Sequence, residues 1–358
     1  MDTTPVTARS LGRSYFLDGD ALERAYKWRL SDFSTWPQRE HAQDWVLNAS
    51  NIGEHLSIDE TSLQDDLFTI LSNKAGHGRQ GTIIATMRGT KADDVVNVLM
   101  QIPEEDRLKV KEVTMDLSES MRCIVEAAFP NAVITLDCFH VLKRILDAVE
   151  ELRLRYKRDA QATIRREERK WKERKKRNAA HRRWYARTHP KKYKGKRRGP
   201  KPRRANEQFR PEVLINGDTF VELLTRSKYA LTQTYDQWSD RQRVRMSLLF
   251  AEYPKLKEAY DIVNRLRAIF RSKKLSREEA RLKLHEWYKM VASCTLREIK
   301  SARDAIKNRE ENVLNYFINR ATNASAESLN SKLKSFRAQV RGVTDLSFFM
   351  YRVFKIYG

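Results

Sequence analysis

The stretch VKEVTMDLSESMRCIVEAAFPNAVITLDCFHV, residues 110–141, changes its hydrophobic period twice. Val110–Leu117 and Ala132–Leu136 are short runs rich in apolar and β-branched residues, bounded by polar or Pro signals, and read as strands. Between them Ser118–Phe129 has apolar residues at three- and four-residue spacing behind a Ser suited to capping, and reads as a helix. Upstream, Leu56–Ser62, Leu67–Asn73 and Gly81–Thr86 read as three more strands, and Ala92–Gln101 as a helix. Three strands, then helix, strand, helix, strand is an α/β order in which the first three can meander and the later ones lie parallel. It is the order of a ribonuclease H-like core.

Downstream of Val141 the pattern changes. As far as Asn319 the spacing is helical throughout, with runs at Phe220–Leu231, Asp236–Ala251, Leu256–Arg271, Ser276–Ala292 and Thr295–Asn308. No fixed period marks a repeat array. The expected fold class is therefore α/β, a ribonuclease H-like catalytic core interrupted by a long all-helical insertion. Its expected parts are a short helical N-terminal segment (1–50), the first part of the core (51–145), the insertion (146–319) and a returning core helix (320–358). Ala21–Leu47, with Trp28, Trp36 and Trp45, reads as a short helical pair, and the aromatic end, Phe348, Phe349, Tyr351, Phe354 and Tyr357, as core packing.

Charge narrows the function. Of 358 residues 70 are Lys or Arg against 47 Asp or Glu, a formal +23, which calls for a polyanionic partner. Residues 151–210 hold 26 basic and 6 acidic residues, so that one block carries nearly the whole excess. A one-sided block of this kind reads as a phosphate-meeting surface, the alternative being a disordered basic tail. Its Gly- and Pro-containing second half, Lys191–Arg204, reads as a mobile loop. No run approaches the roughly 18 apolar residues of a bilayer span, and no signal segment follows Arg9 and Arg13, so a cytoplasmic, nucleoid-associated protein is expected. Cys123, Cys138 and Cys294 stand too far apart for a zinc pattern and are expected to be buried small hydrophobes.

Three carboxylates then stand out. Asp59 sits inside the strand of Leu56-Ser-Ile-Asp-Glu-Thr, where an unpaired charge is costly and a divalent cation would offset it; a water-facing edge Asp is the alternative. Asp116 closes the strand Val113-Thr-Met-Asp and could equally serve the start of the next helix. Two acids on neighbouring strands favour a shared cation. Glu327, in Thr322-Asn-Ala-Ser-Ala-Glu327, opens a helix whose Leu329, Leu333, Phe336 and Val340 form one apolar face; the helix dipole alone could favour it there. On the other side Asn330, Lys334, Arg337 and Arg341 are expected to track a phosphate backbone. Carboxylates on separate elements suit two hard ions, Mg2+ or Mn2+, in phosphoryl transfer. His140, in Asp137-Cys-Phe-His140, could orient a scissile phosphate or steady the loop.

Taken in order, Ile58-Asp-Glu, Thr114-Met-Asp116, Phe129-Pro-Asn-Ala132 leading to Asp137-x-Phe-His-Val141, and Thr322-Asn-Ala-x-x-Glu327 with Asn330 and Lys334 resemble the DDE transposases of bacterial insertion sequences, most closely the ISL-three family. The resemblance spans roughly residues 52–358. It implies that Asp59, Asp116 and Glu327 are the catalytic, metal-binding triad, that Asp137 and His140 form the family's Asp-x-x-His signature, and that the 211 positions from Asp116 to Glu327 accommodate a helical insertion. It also implies cleavage at transposon ends and joining to target DNA, by a homo-oligomer assembled on DNA. Relatives carry zinc-binding and helix-turn-helix segments ahead of the core, which have no counterpart before Asp59, so end recognition is expected from a separate end-recognising polypeptide or from a missing upstream frame. DNA contacts are expected at Asn330, Lys334, Arg337, Lys191, Lys192, Lys194, Lys196, Arg197 and Arg198. A ribonuclease H-like structure-specific nuclease and an inactive, transposase-derived nucleic-acid binder are the competing readings.

Overall fold

The computed structural model describes residues 1–63, 66–189, 208–340 and 345–358. Within them the period-two segments become β1 (Trp45–Leu47), β2 (His55–Leu63), β3 (Asp66–Asn73), β4 (Ile83–Arg88), β5 (Glu112–Met115) and β6 (Val133–Leu136). They form one mixed sheet in the order β1-β4-β3-β2-β5-β6. β2, β3 and β4 are an antiparallel meander, while β5 pairs parallel with β2 and β6 parallel with β5. The chain divides into two units: Met1–Lys143, Ile269–Glu286 and Ala305–Gly358 in the first, Arg144–Ala268 and Trp287–Asp304 in the second. The first thus takes in segments on both sides of 287–304, whereas the sequence places all of 146–319 in the insertion.

Strand alternation gives the sheet two chemically different faces. Leu56, Ile58, Val113, Met115 and Leu136 are fully buried on one, which the helices Ala92–Leu99 and Glu119–Ala128 cover with Val95, Leu99, Met121 and Ile124. The Glu119–Ala128 helix starts where Ser118 caps it, its Oγ accepting from the Met121 N–H at 3.4 Å. The other face carries Ser57, Thr61, Thr114 and Thr135, all buried, with Leu63, Phe68 and Ile70 toward its far side. Against those apolar residues pack Leu329, Leu333 and Phe336 of the helix Ala324–Gln339 and the terminal helix Leu346–Tyr357.

Ala21–Leu47 differs from the expected helical pair. A short helix, Gly19–Ala25, runs into a π-helical turn at Tyr26–Leu30, but the segment ends as edge strand β1, whose Trp45, Val46 and Leu47 pair with Met87, Thr86 and Ala85. Bulky and β-branched side chains suit that pleated edge. The whole N-terminal segment is fastened to the terminal helix: Lys27 Nζ lies 2.6 Å from Asp345, the Tyr351 hydroxyl donates to Asp32, and Trp36 meets the Tyr351 ring edge-on at 5.3 Å. Arg352, only 3% exposed, donates to the carbonyls of Met1, Thr4 and Val6.

The second unit is helical. Leu223, Leu224, Leu231, Met246, Leu249, Leu256 and Val263 are buried in it, and Trp287 Nε1 donates to the Ile262 carbonyl at 2.9 Å. Into it runs the helix Cys138–Thr188, whose residues beyond about 160 carry the basic block on side chains that are almost all open to solvent. Lys175 lies over the Trp171 ring there, at 4.7 Å. Lys191, Lys192, Lys194, Lys196, Arg197 and Arg198 lie outside the described residues. Of the cysteines Cys294 is buried and Cys138 half-buried, but Cys123 is exposed, because the Glu119–Ala128 helix buries only one face and Cys123 is on the other.

Candidate active site

The parallel register builds the site. Ser57 stands beside Thr114 and Thr114 beside Thr135, so two residues further on the same row across the sheet holds Asp59, Asp116 and Asp137. The Asp137 N–H donates to the Met115 carbonyl at 2.9 Å, which extends the pairing to that level. Three acids therefore stand on one face of three neighbouring strands, Asp59 midway along β2 and Asp116 and Asp137 just past the carboxyl ends of β5 and β6. One step below them is a row of small hydroxyls, and below that Glu112, whose carboxylate takes hydrogen bonds from Lys74 at 2.9 Å and from the Asn319 amide. Lys74 also donates to the Thr114 hydroxyl.

Each acid is held differently. Asp59 accepts from the Glu60 N–H at 2.9 Å and from the Asn330 amide at 2.8 Å. Burial pushes its carboxyl up to about 6, with Asp116 and Glu327 adding like charge and the Glu60 N–H and His140 opposing. Burial, then Asp116 and Asp59, also raise Glu60. Asp116 accepts from the Ser118 N–H at 3.0 Å. Asp137, 3% exposed, is raised by burial against the pull of His140, the N–H groups of Phe139 and Asn323, and Lys74.

Glu327 comes from the first turn of the helix Ala324–Gln339, about half exposed, and brings its carboxylate to the sheet's acidic edge. His140 Nε2 stands between two acids, 3.8 Å from Glu327 Oε1 and 4.0 Å from Asp137 Oδ2. Among the described residues it is Asp137, His140 and Glu327 whose donor atoms all lie within 4.8 Å of one another. Asp59 and Asp116 are outside that trio, each satisfied by a donor of its own. Ser57 Oγ, Asn330 Oδ1 and both polar atoms of the Asn323 side chain are buried without a hydrogen-bond partner among the described residues.

Two residues expected on a phosphate-tracking face are placed otherwise. Asn330 is 6% exposed and turned to Asp59, and Arg337 is 7% exposed with its guanidinium 4.9 Å over the Phe349 ring. Periodicity shows the face that meets the sheet, but this helix is covered on a second side by the terminal helix as well. Lys334 is exposed, and Arg341 lies outside the described residues. Lys74 and Asn323 escaped sequence reasoning: Lys74 follows β3 in a turn with no motif, although Asn323 sits inside the quoted Thr322–Glu327 stretch.

Comparison with known proteins adds the deciding observation: a transposase family profile, that of the DDE transposases of the ISL-three (ISL3) type, matches residues 56–209 and 203–353. The chain belongs to this transposase family. The match begins on β2, three residues before Asp59, and runs through the helix of Glu327 into the terminal helix. No curated protein and no solved structure matches it. The transposase is thus an enzyme of a family acting on DNA, of a class generally dependent on divalent metal, and Asp137, His140 and Glu327 form a group that could hold a cation. No helix among the described residues is long and apolar enough to cross a membrane.

Proposed function

We propose that this transposase cleaves DNA at transposon ends and joins the 3′ ends to target DNA, using Asp59, Asp116 and Glu327 as the ligands of two Mg2+ or Mn2+ ions. The observation that carries the reading is the row of acids formed by Asp59 within β2 and by Asp116 and Asp137 just past β5 and β6, with Glu327 brought from the helix Ala324–Gln339. A meander followed by two parallel strands supports a ribonuclease H-like core, with the helical second unit as its insertion. The donor set fits such ions: carboxylate oxygens are hard ligands, and the Asp59 carboxyl, raised by burial first and then by the like charges of Asp116 and Glu327, is a group whose charged form a cation would favour.

When bound, the ions would activate a water or 3′-hydroxyl and stabilise the leaving oxygen. The protein's own groups hold the arrangement. Asn330 fixes the Asp59 carboxylate, the Ser118 N–H fixes Asp116, and Lys74 with Glu112 stiffens the polar face beneath them. His140, between Asp137 and Glu327, is placed to donate to a scissile phosphate or to a leaving oxygen. The basic helix supplies sequence-independent phosphate contacts, and a homo-oligomer assembled on DNA completes the proposal.

The test is Mg2+-dependent nicking of a labelled transposon-end duplex by wild type, Asp59→Asn and Asp116→Asn. Wild-type nicking with loss of at least a hundredfold in either variant supports the assignment. Equal rates in all three would remove both residues from the metal site.

A further inference from the structure

Beside the acidic row lies a donor set of another kind. Asp137 follows β6 directly, His140 stands one turn into the helix Cys138–Thr188, and Glu327 reaches them from the helix Ala324–Gln339. His140 Nε2 is 3.8 Å from Glu327 Oε1 and 4.0 Å from Asp137 Oδ2, too far for a hydrogen bond to either. A nitrogen held between two carboxylates without bonding to them has the spacing of donors around an ion. In a tetrahedral zinc site, with bonds of about 2.0–2.2 Å, the donors stand about 3.3–3.6 Å apart. Both His140 contacts are within about half an ångström of that, and the third pair of donors lies within 4.8 Å.

Asp137 supplies a fixed base. It is buried, and its other oxygen, Oδ1, takes the Phe139 N–H at 3.5 Å, while the Asn323 N–H also bonds the carboxylate. The His140 and Glu327 side chains are more open, 24% and 47% exposed, and can close the remaining distance. With a neutral imidazole the three carry two negative charges, which a divalent ion cancels. Lys74 also acts on Asp137, but its ammonium is taken by Glu112 at 2.9 Å. A second observation comes from Asn323: its side chain is fully buried, both polar atoms are unpartnered among the described residues, and its own N–H is on Asp137. A water carried by an ion is the partner that such an amide lacks. The imidazole decides the metal, because Mg2+ takes oxygen ligands whereas His suits Zn2+.

We propose that Asp137, His140 and Glu327 bind one Zn2+ ion, with a water as the fourth ligand, and that this ion is inhibitory. Binding itself needs only the three side chains. The inhibition rests on the functional reading above: an ion that occupies Glu327 withdraws it from Asp59 and Asp116, and it takes the His140 nitrogen away from any phosphate. Zn2+ and the paired Mg2+ ions therefore compete for one carboxylate.

The experiment is isothermal titration calorimetry of Zn2+ into the full chain in metal-free buffer, repeated for His140→Gln, Glu327→Gln, Asp59→Asn and Cys138→Ser. Wild type should take up one ion per chain, with affinity at least tenfold weaker in the first two variants and within about threefold of wild type in the last two. Cys138 is included because it adjoins Asp137 and thiolate is a strong zinc ligand. Unchanged affinity in His140→Gln would exclude the trio, a loss in Asp59→Asn equal to that in His140→Gln would move the ion to the triad, and an equal loss in Cys138→Ser would make it a thiolate site; each overturns the proposal. One equivalent of Zn2+ should also cut Mg2+-dependent nicking by wild type at least tenfold, and undiminished nicking by the zinc-loaded chain would overturn the sharing of Glu327. The two readings fail separately: His140-dependent zinc binding by a chain that never nicks DNA overturns the functional reading alone, and nicking by a chain without such zinc binding overturns this one alone.

Discussion

Glu112→Gln should destabilise the first unit, and the size of the effect follows from its surroundings. The Glu112 carboxylate is buried on the polar face of the sheet, with one oxygen on Lys74 at 2.9 Å and the other on the Asn319 amide. Gln keeps the shape but sets an amide NH2 against one of these donors and leaves the Lys74 ammonium, 18% exposed, facing a neutral group. Each charge-assisted bond contributes about 1.5–3 kcal/mol, so the loss is about 3 kcal/mol once the partial exposure of Lys74 is discounted. Burial works to raise the Glu112 carboxyl, but Asn319 and Lys74 outweigh it and hold it below its ordinary 4.5. A lowered native value means that the charge contributes stability above the unfolded value and loses it as pH falls through the native one. In urea melts the gap between wild type and variant should be full at about pH 7 and should shrink steadily as the pH falls below the ordinary carboxylate range and through the lowered native value. A gap under about 1 kcal/mol at neutral pH, or one that persists in acid, would refute the reasoning.

Three further outcomes follow from the same geometry. Arg352→Leu removes the donor that gathers three N-terminal carbonyls, so amide exchange over residues 1–7 should accelerate at least tenfold with little change in β2; unchanged exchange would show that the segment is held by its other contacts. Leu333→Ala opens a cavity at a fully buried position between sheet and terminal helix and should cost about 2–5 kcal/mol in a denaturant melt, whereas a cost under 1 would mean that the site collapses freely. Mn2+ binding, followed by loss of its free-ion electron paramagnetic resonance signal, should weaken at least tenfold in Asp59→Asn, and equal affinity would exclude Asp59 as a ligand.

The sheet was legible where alternation is long enough to be seen. β2 and β3 run for eight or nine residues with a buried face that enforces the period, but β1 is three residues long and leaves no periodic trace beside three tryptophans. The acids were legible singly, each as a carboxylate inside or just after a strand. Their common row was not, because parallel register is a property of pairing between distant segments. For the same reason the sequence does not match Lys74 to Glu112, and its periodicity puts Asn330 and Arg337 on an open face although they meet Asp59 and Phe349. Helical periodicity reports how many residues are apolar on one side, and this helix covers its polar ones with a second set of neighbours.

The most direct measurement of the central claim is Mg2+-dependent cleavage and joining of a labelled transposon-end duplex by wild type beside Glu327→Gln, which keeps the shape of the side chain and removes its charge. The account predicts that wild type both cuts the end and joins it to target DNA, and that the variant binds the duplex as wild type does and does neither. Joining at equal rates by the two would contradict Glu327 as the third ligand, and cutting by wild type with water alone, never joining, would make the protein a nuclease.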